Sequence, residues 1–261
     1  MFGIHASTYY LPMLSKDKTR LIQIAKEFQN TDIMIALSNN PVLDRKVKRY
    51  HSDYPHLFVL SCIMDRQVSA ETAWSIPYKI CDLIGSMSIM DLNSLSEEEY
   101  IDLFKREIPH RYKSKMAGYF KRAIERIILV FDGDASIIWS NVPSSADVVS
   151  RFLEFEGCGV KIATMATNLL HRAFGVIYSD YNAIDVSPDV HVLRVMKRLG
   201  LISNIEKREL AIYAARGLYP PYPGIFDGLF WIIGKEYCSL SSPNCKDCKL
   251  NSICSNSSVI L

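Results

Sequence analysis

Apolar residues recur at helical spacing nearly throughout this chain, and the two-residue alternation of a half-buried strand is scarce. Residues 16–29 predict a first helix. His56–Met64 (HLFVLSCIM) is apolar on almost every side and predicts a helix in the centre of a domain. Another helix starts near Ser69, and Ser96 with Glu99 makes a capping box for one that ends before Pro109. The strongest amphipathic pattern follows, with Met116, Phe120, Ala123, Ile124, Ile127 and Ile128 sharing a face, and Asp132-Gly133 breaks it. Ser145 is the expected cap of the next helix, which runs to Glu156. Leu193, Met196 and Leu199 form the inner face of a helix closed by Gly200, and helices near 204–217 and 224–237 complete an all-α chain of about ten. Two stretches are looser: 30–50, with a turn at Asn39-Asn40-Pro41 and the basic run Arg45–Arg49, and the polar segment 176–188.

The chain is organised around Leu153–Leu170 (LEFEGCGVKIATMATNLL), where Gly157 and Gly159 flank Cys158 between two apolar helical segments. Glycines at such a corner permit positive φ and close approach of another molecule to the backbone. The N–H groups that open the second helix lack partners inside it and seat an anion. Lys161 in that first turn reads equally as a phosphate clamp and as a nucleophile, because burial and the positive helix end both favour its neutral amine.

Composition narrows the setting. A chain of 261 residues buries a substantial core, and 49% hydrophobic with 22% charged residues is ordinary for a folded protein. The net charge of +2 does not announce nucleic acid, so any such binding must come from local clustering of the 30 Lys and Arg. No apolar run reaches the length of a membrane span, and the N-terminal residues lack the order of a secretory signal. An intracellular protein with reduced cysteines is the expectation.

Three cysteines are scattered, whereas Cys238, Cys245, Cys248 and Cys254 follow a C-x6-C-x2-C-x5-C spacing. Four thiolates on one short loop can enclose a [4Fe–4S] cluster or a structural zinc ion, with a slight lean to iron. Asp189 stands at a helix N-cap position, where its carboxylate is held in place and can stabilise a cation or accept a proton; Asp185 is the rival carboxylate. The Tyr112–Lys115 helix start offers phosphate contacts, Lys115 among them.

These residues resemble the endonuclease III branch of the helix-hairpin-helix DNA glycosylases, over most of residues 55–255. EGCGVKIA is similar to that family's L-P-G-V-G-x-K-T-A hairpin, PDVHVLRV to its V-D-T-H-x-x-R-V, and the four cysteines to its iron–sulfur loop. DRQVSA and RYKSKMA are similar to its S-A-Q-x-T/S and L-Y-N-S-K-A segments. The departures are Glu156 in place of proline, Ile162 in place of threonine, and longer stretches at 175–188 and before residue 50.

The resemblance implies a two-lobed fold: a six-helix barrel over 51–175, and a second domain made of 1–50 with 176–261 that carries a [4Fe–4S] cluster on loop 238–254. It implies a bifunctional DNA glycosylase and abasic-site lyase acting on double-stranded DNA, as a monomer associated with DNA in the cytoplasm, nucleoid or nucleus. Lys161 is then the Schiff-base nucleophile, and Asp189 the catalytic aspartate that stabilises positive charge developing on the sugar and helps to deprotonate Lys161. Gly157, Gly159 and Lys115 contact phosphate, Gln67 fills the gap left by the extruded nucleotide, and Arg111 wedges the duplex. Damaged bases, oxidised pyrimidines foremost, or mismatched bases are the expected substrates. The alternatives are another base specificity on the same fold, or a metal-stabilised DNA-binding module without catalysis.

Overall fold

The computed structural model describes residues 13–29, 53–203 and 205–254. The turn at 39–41 and the basic run 45–49 lie outside them. The chain divides into two compact units, Thr31–Ile184, and Met1–Asn30 with Asp185–Leu261. Among the described residues there are helices and no strands, and no helix is long and apolar enough to cross a membrane.

The first unit is built around helix α2 (Pro55–Met64). Proline at its first position has no N–H to waste, and every following residue is buried. The ring of Phe58 meets those of Phe174, Trp74, Trp139 and Phe152 at centroid distances of 5.4, 5.7, 5.7 and 6.4 Å. Truncating such a side chain to alanine typically costs about 3–5 kcal/mol.

Helix α3 (Ala70–Ile84) starts at Ser69, whose hydroxyl accepts from the Thr72 N–H, and stops at left-handed Gly85. After the short α4 (Ile89–Asn93), the Ser96–Glu99 capping box opens α5 (Glu97–Glu107) as the sequence predicts. Helix α6 (Lys113–Phe131) buries the expected apolar face except Ile128, which is half-buried, and ends where Asp132 and Gly133 take positive φ. Helix α7 (Ser145–Leu153) departs from expectation at both ends. Its cap is Ser144, in a box with Asp147, and it stops three residues before Glu156. Ser145 instead turns its buried hydroxyl to Asp180 (2.6 Å) and takes the Ala183 N–H (3.1 Å).

Those two bonds fasten the segment after α8 (Val160–Phe174), where the sequence predicts a polar loop. Tyr178 is buried and donates to the Thr167 carbonyl, Ser179 bonds the Pro143 carbonyl, and His171 packs on the Tyr181 ring at 4.5 Å. Residues 176–184 are thus a packed piece of this unit.

In the second unit, α1 (Ser15–Gln29) buries Leu21, Ala25 and Phe28. Helices α9 (Val190–Arg198) and α11 (Asp227–Glu236) pack so closely that a β-carbon on Gly234 would stand 2.7 Å from that of His191. Helix α10 (Glu209–Leu218) and a 3-10 turn at Pro223–Phe226 complete this unit before the cysteine loop.

Candidate active site

The hairpin joins α7 to α8. Gly157 holds φ +84°, and a β-carbon there would sit 2.5 Å from the Tyr119 ring, so the position needs glycine on two counts. Gly159 does not: it is the N-cap of α8 at φ −96° with open space around it. Only the first glycine supplies the positive φ expected of both. The backbone N–H groups of Gly159, Val160 and Lys161 find no acceptor among the described residues, which leaves the anion seat open.

Lys161 lies in the first turn of α8, and its Nζ contacts Asp65 Oδ2 at 3.1 Å. Asp65 is the residue at which α2 ends. The bend after it puts Gln67 at φ +55°, an uncommon conformation outside glycine, and leaves Arg66 exposed. Arg66 donates to the Gly157 carbonyl (3.5 Å) and, with Lys115 and Arg122, surrounds the ring of Tyr119 at 5.5–5.9 Å. Such contacts stabilise a cation against an aromatic face and fix where it stands. Arg111 is exposed and lies over Tyr112.

Glu156, an acid beside an anion seat, has a partner. Its carboxylate is ion-paired to Arg122, which also donates to Glu97 at 2.7 Å. The pair cancels the repulsion Glu156 would exert on phosphate and ties the hairpin to α5 and α6. Arg126 and Glu154 add a parallel tie. Burial pushes the Cys158 thiol up to about 12, and pushes Cys62 well above its ordinary range. Both are packing residues that stay protonated.

Asp189 belongs to the other unit. As the N-cap of α9 it accepts the His191 and Val192 N–H groups on one oxygen, Oδ1, at 2.9 and 2.8 Å. The segment leading to it is fixed at two points. Asp185, buried, is gripped by Arg216 through both oxygens at 2.8 Å, and Ser187 bonds Asp227 through its N–H at 2.5 Å. Asp185 is therefore a structural anchor, and Asp189 keeps Oδ2 without a partner among the described residues. His191 packs edge-on to Trp231, with Nδ1 3.0 Å from Arg194.

Helix α9 also holds the cysteine loop. Arg194 donates to the carbonyls of Cys238 (2.6 Å) and Gly234 (2.7 Å). Arg198 donates to Cys238 Sγ (3.1 Å), Ser239 (2.8 Å) and Leu240 (3.0 Å), while Cys254 meets the Arg198 carbonyl at 3.5 Å. Cys248 is raised by burial first and then by its neighbours Cys238 and Cys245. Cys238, Cys245 and Cys248 are thus electrostatic neighbours and Cys254 sits against Arg198, although no three His, Cys, Asp or Glu side chains among the described residues converge at metal-binding spacing. As a donor set of four soft ligands on one loop they fit an iron–sulfur cluster or zinc.

Of the residues singled out in the sequence, Gly157, Gly159, Lys161, Gln67, Arg111 and Lys115 fall in the first unit, and Asp189 and the four cysteines in the second. Asp65, Arg66, Tyr119 and Arg122 were missed. Each reaches the hairpin from a distant part of the chain, which spacing does not reveal.

No protein-family model and no curated protein matches the sequence. Solved structures do. A trapped endonuclease III–DNA covalent intermediate aligns at TM-score 0.60 and 19% identity over 94% of this chain and 98% of that one. A thermostable thymine-DNA glycosylase aligns at 0.61 and 18% over 93% and 97%. The 8-oxoguanine DNA glycosylase of Thermotoga maritima aligns at 0.51 and 20% over 86% and 99%. The chain has the all-α helix-hairpin-helix fold of these DNA glycosylases.

Proposed function

We propose that this protein is a bifunctional DNA glycosylase and abasic-site lyase of base-excision repair. The observation that carries the reading is Lys161, an amine in the first turn of a helix with open N–H groups, on the fold of a protein trapped covalently on DNA. The target nucleotide leaves the stack, because its C1′ is out of reach inside a duplex. The hairpin backbone at Gly157 and Gly159 holds phosphate, with Arg66 and Lys115 as flanking cations. Gln67 fills the space vacated by the nucleotide and Arg111 wedges the strands apart.

Asp189 stabilises the positive charge that grows on the sugar as the base departs. Lys161 attacks C1′ and expels the base. The resulting Schiff base acidifies the neighbouring carbon, and β-elimination of the 3′ phosphate cuts the strand. Cys238, Cys245, Cys248 and Cys254 hold a [4Fe–4S] cluster, whose binding cross-links the loop that α9 carries. The enzyme works as a monomer on intracellular DNA. Base choice resides in part in the packed 176–184 segment.

The test is a panel of duplexes carrying oxidised pyrimidines, oxidised purines, mismatches and no lesion, each incubated with borohydride. One or more lesions should yield a covalent complex that Lys161→Ala abolishes. Salt-sensitive binding with neither trapping nor nicking on any duplex would reduce the protein to a binding module.

A further inference from the structure

We infer that Asp65 is a catalytic residue, the proton acceptor and return donor for Lys161 during Schiff-base formation. The inference rests on Lys161 being the nucleophile and assigns the partner that makes it one. An ammonium cannot attack carbon, so a nucleophilic lysine must pass a proton to a group in contact with its nitrogen. Asp65 Oδ2 is that group, 3.1 Å from Nζ and in the same compact unit. Its side chain is only 13% exposed, against 35% for Lys161, so it is shielded from bulk water while the amine still reaches outward.

The other titratable and charged groups around the pair are poor acceptors. Arg66 adjoins Asp65 and is a fixed cation. Cys62, on α2, and Cys158, in the hairpin, are thiols held protonated by burial. Glu156 is engaged by Arg122. Asp189, the acceptor that the family resemblance implies, belongs to the other unit and has Oδ1 committed to two helix N–H groups.

The step balances on an abasic site in its open-chain aldehyde form. Lys161 gives one ammonium proton to Asp65. The Nζ lone pair then forms a bond to C1′ as the carbonyl π pair moves onto oxygen, which takes a second proton from the nitrogen. Asp65 returns its proton to that hydroxyl, which departs as water, and the nitrogen lone pair closes the C=N bond. The products are a protonated imine and water, with Asp65 restored as carboxylate. A purely structural role for this part-buried pair would change stability and predicts no pH-dependent kinetic signature.

The experiment uses the full chain and a duplex with one central abasic site, a probe that needs no knowledge of the base excised. Borohydride trapping is followed from pH 6 to pH 9 for wild type, Asp65→Asn and Asp65→Glu, each checked for helical content. Wild type should trap at a rate that varies little with pH. Asp65→Asn should be at least tenfold slower at neutral pH and recover by about tenfold per pH unit, as hydroxide replaces the missing acceptor. Asp65→Glu should restore most of the rate.

An Asp65→Asn profile that overlays wild type overturns the inference and leaves Lys161 as nucleophile. Absence of trapping by wild type itself overturns the nucleophile, and the inference with it.

Discussion

Arg216 closes on Asp185 with two hydrogen bonds of 2.8 Å that engage both oxygens of this carboxylate, whereas Asp189, four residues on, is bonded through Oδ1 alone among the described residues. Asp185→Asn should lower stability by about 1–2 kcal/mol, discounted because Arg216 is half exposed, and should leave excision within a few-fold of wild type. Asp189→Asn should do the opposite and slow excision by at least a hundredfold. Single-turnover kinetics and denaturant melts on both variants check the pair, and the reverse ranking would move the catalytic role to Asp185.

Gly157 and Gly159 look equivalent in sequence but not in the fold. Gly157→Ala meets both a left-handed backbone and the Tyr119 ring, and should cost about 2–3 kcal/mol with loss of DNA affinity. Gly159→Ala has open space and a permitted φ, so it should lose only the helix-cap difference, about 0.5–1 kcal/mol. Urea titrations measure the difference, and equal losses would contradict the hairpin geometry.

Glu156 lowers the positive charge beside the anion seat. Glu156→Gln should release Arg122 from one of its two acid partners and tighten duplex binding several-fold at low salt. The log–log salt dependence should steepen by about one counterion. Fluorescence anisotropy across a salt series reads both, and an unchanged slope would mean that Arg122 does not face DNA.

The cysteine loop should make the anaerobically purified protein brown, with iron and inorganic sulfide in about equal amounts. Cys248→Ser should bleach it. Arg198→Ala, which removes the guanidinium on Cys238 Sγ, should speed cluster loss to a chelator. A colourless protein containing one zinc ion would replace the cluster assignment.

What was legible in the sequence was local. The Ser96–Glu99 box, the break at Asp132-Gly133 and the buried character of His56–Met64 depend on neighbours within a turn or two. The cap of α7 was misplaced by one residue because Ser144 and Ser145 are both competent caps. Only Asp147, three residues after Ser144, and Asp180, far down the chain, assign them different tasks. Asp65 could not be matched to Lys161, 96 residues away, by any periodicity. A separation of 34 residues likewise hid the Arg122 that explains Glu156. The loop 176–188 reads as polar because Tyr178 and Asp180 are polar residues that fold inward onto specific partners, Tyr178 donating to the Thr167 carbonyl and Asp180 accepting from the Ser145 hydroxyl.

Helix α9 has nine residues, a rod of about 13 Å. Asp189 is mounted on its front end, and Arg194 and Arg198 grip the cysteine loop towards its rear. A change at the cysteine loop, where Arg194 and Arg198 hold it, therefore bears on the same helix that presents the Asp189 carboxylate.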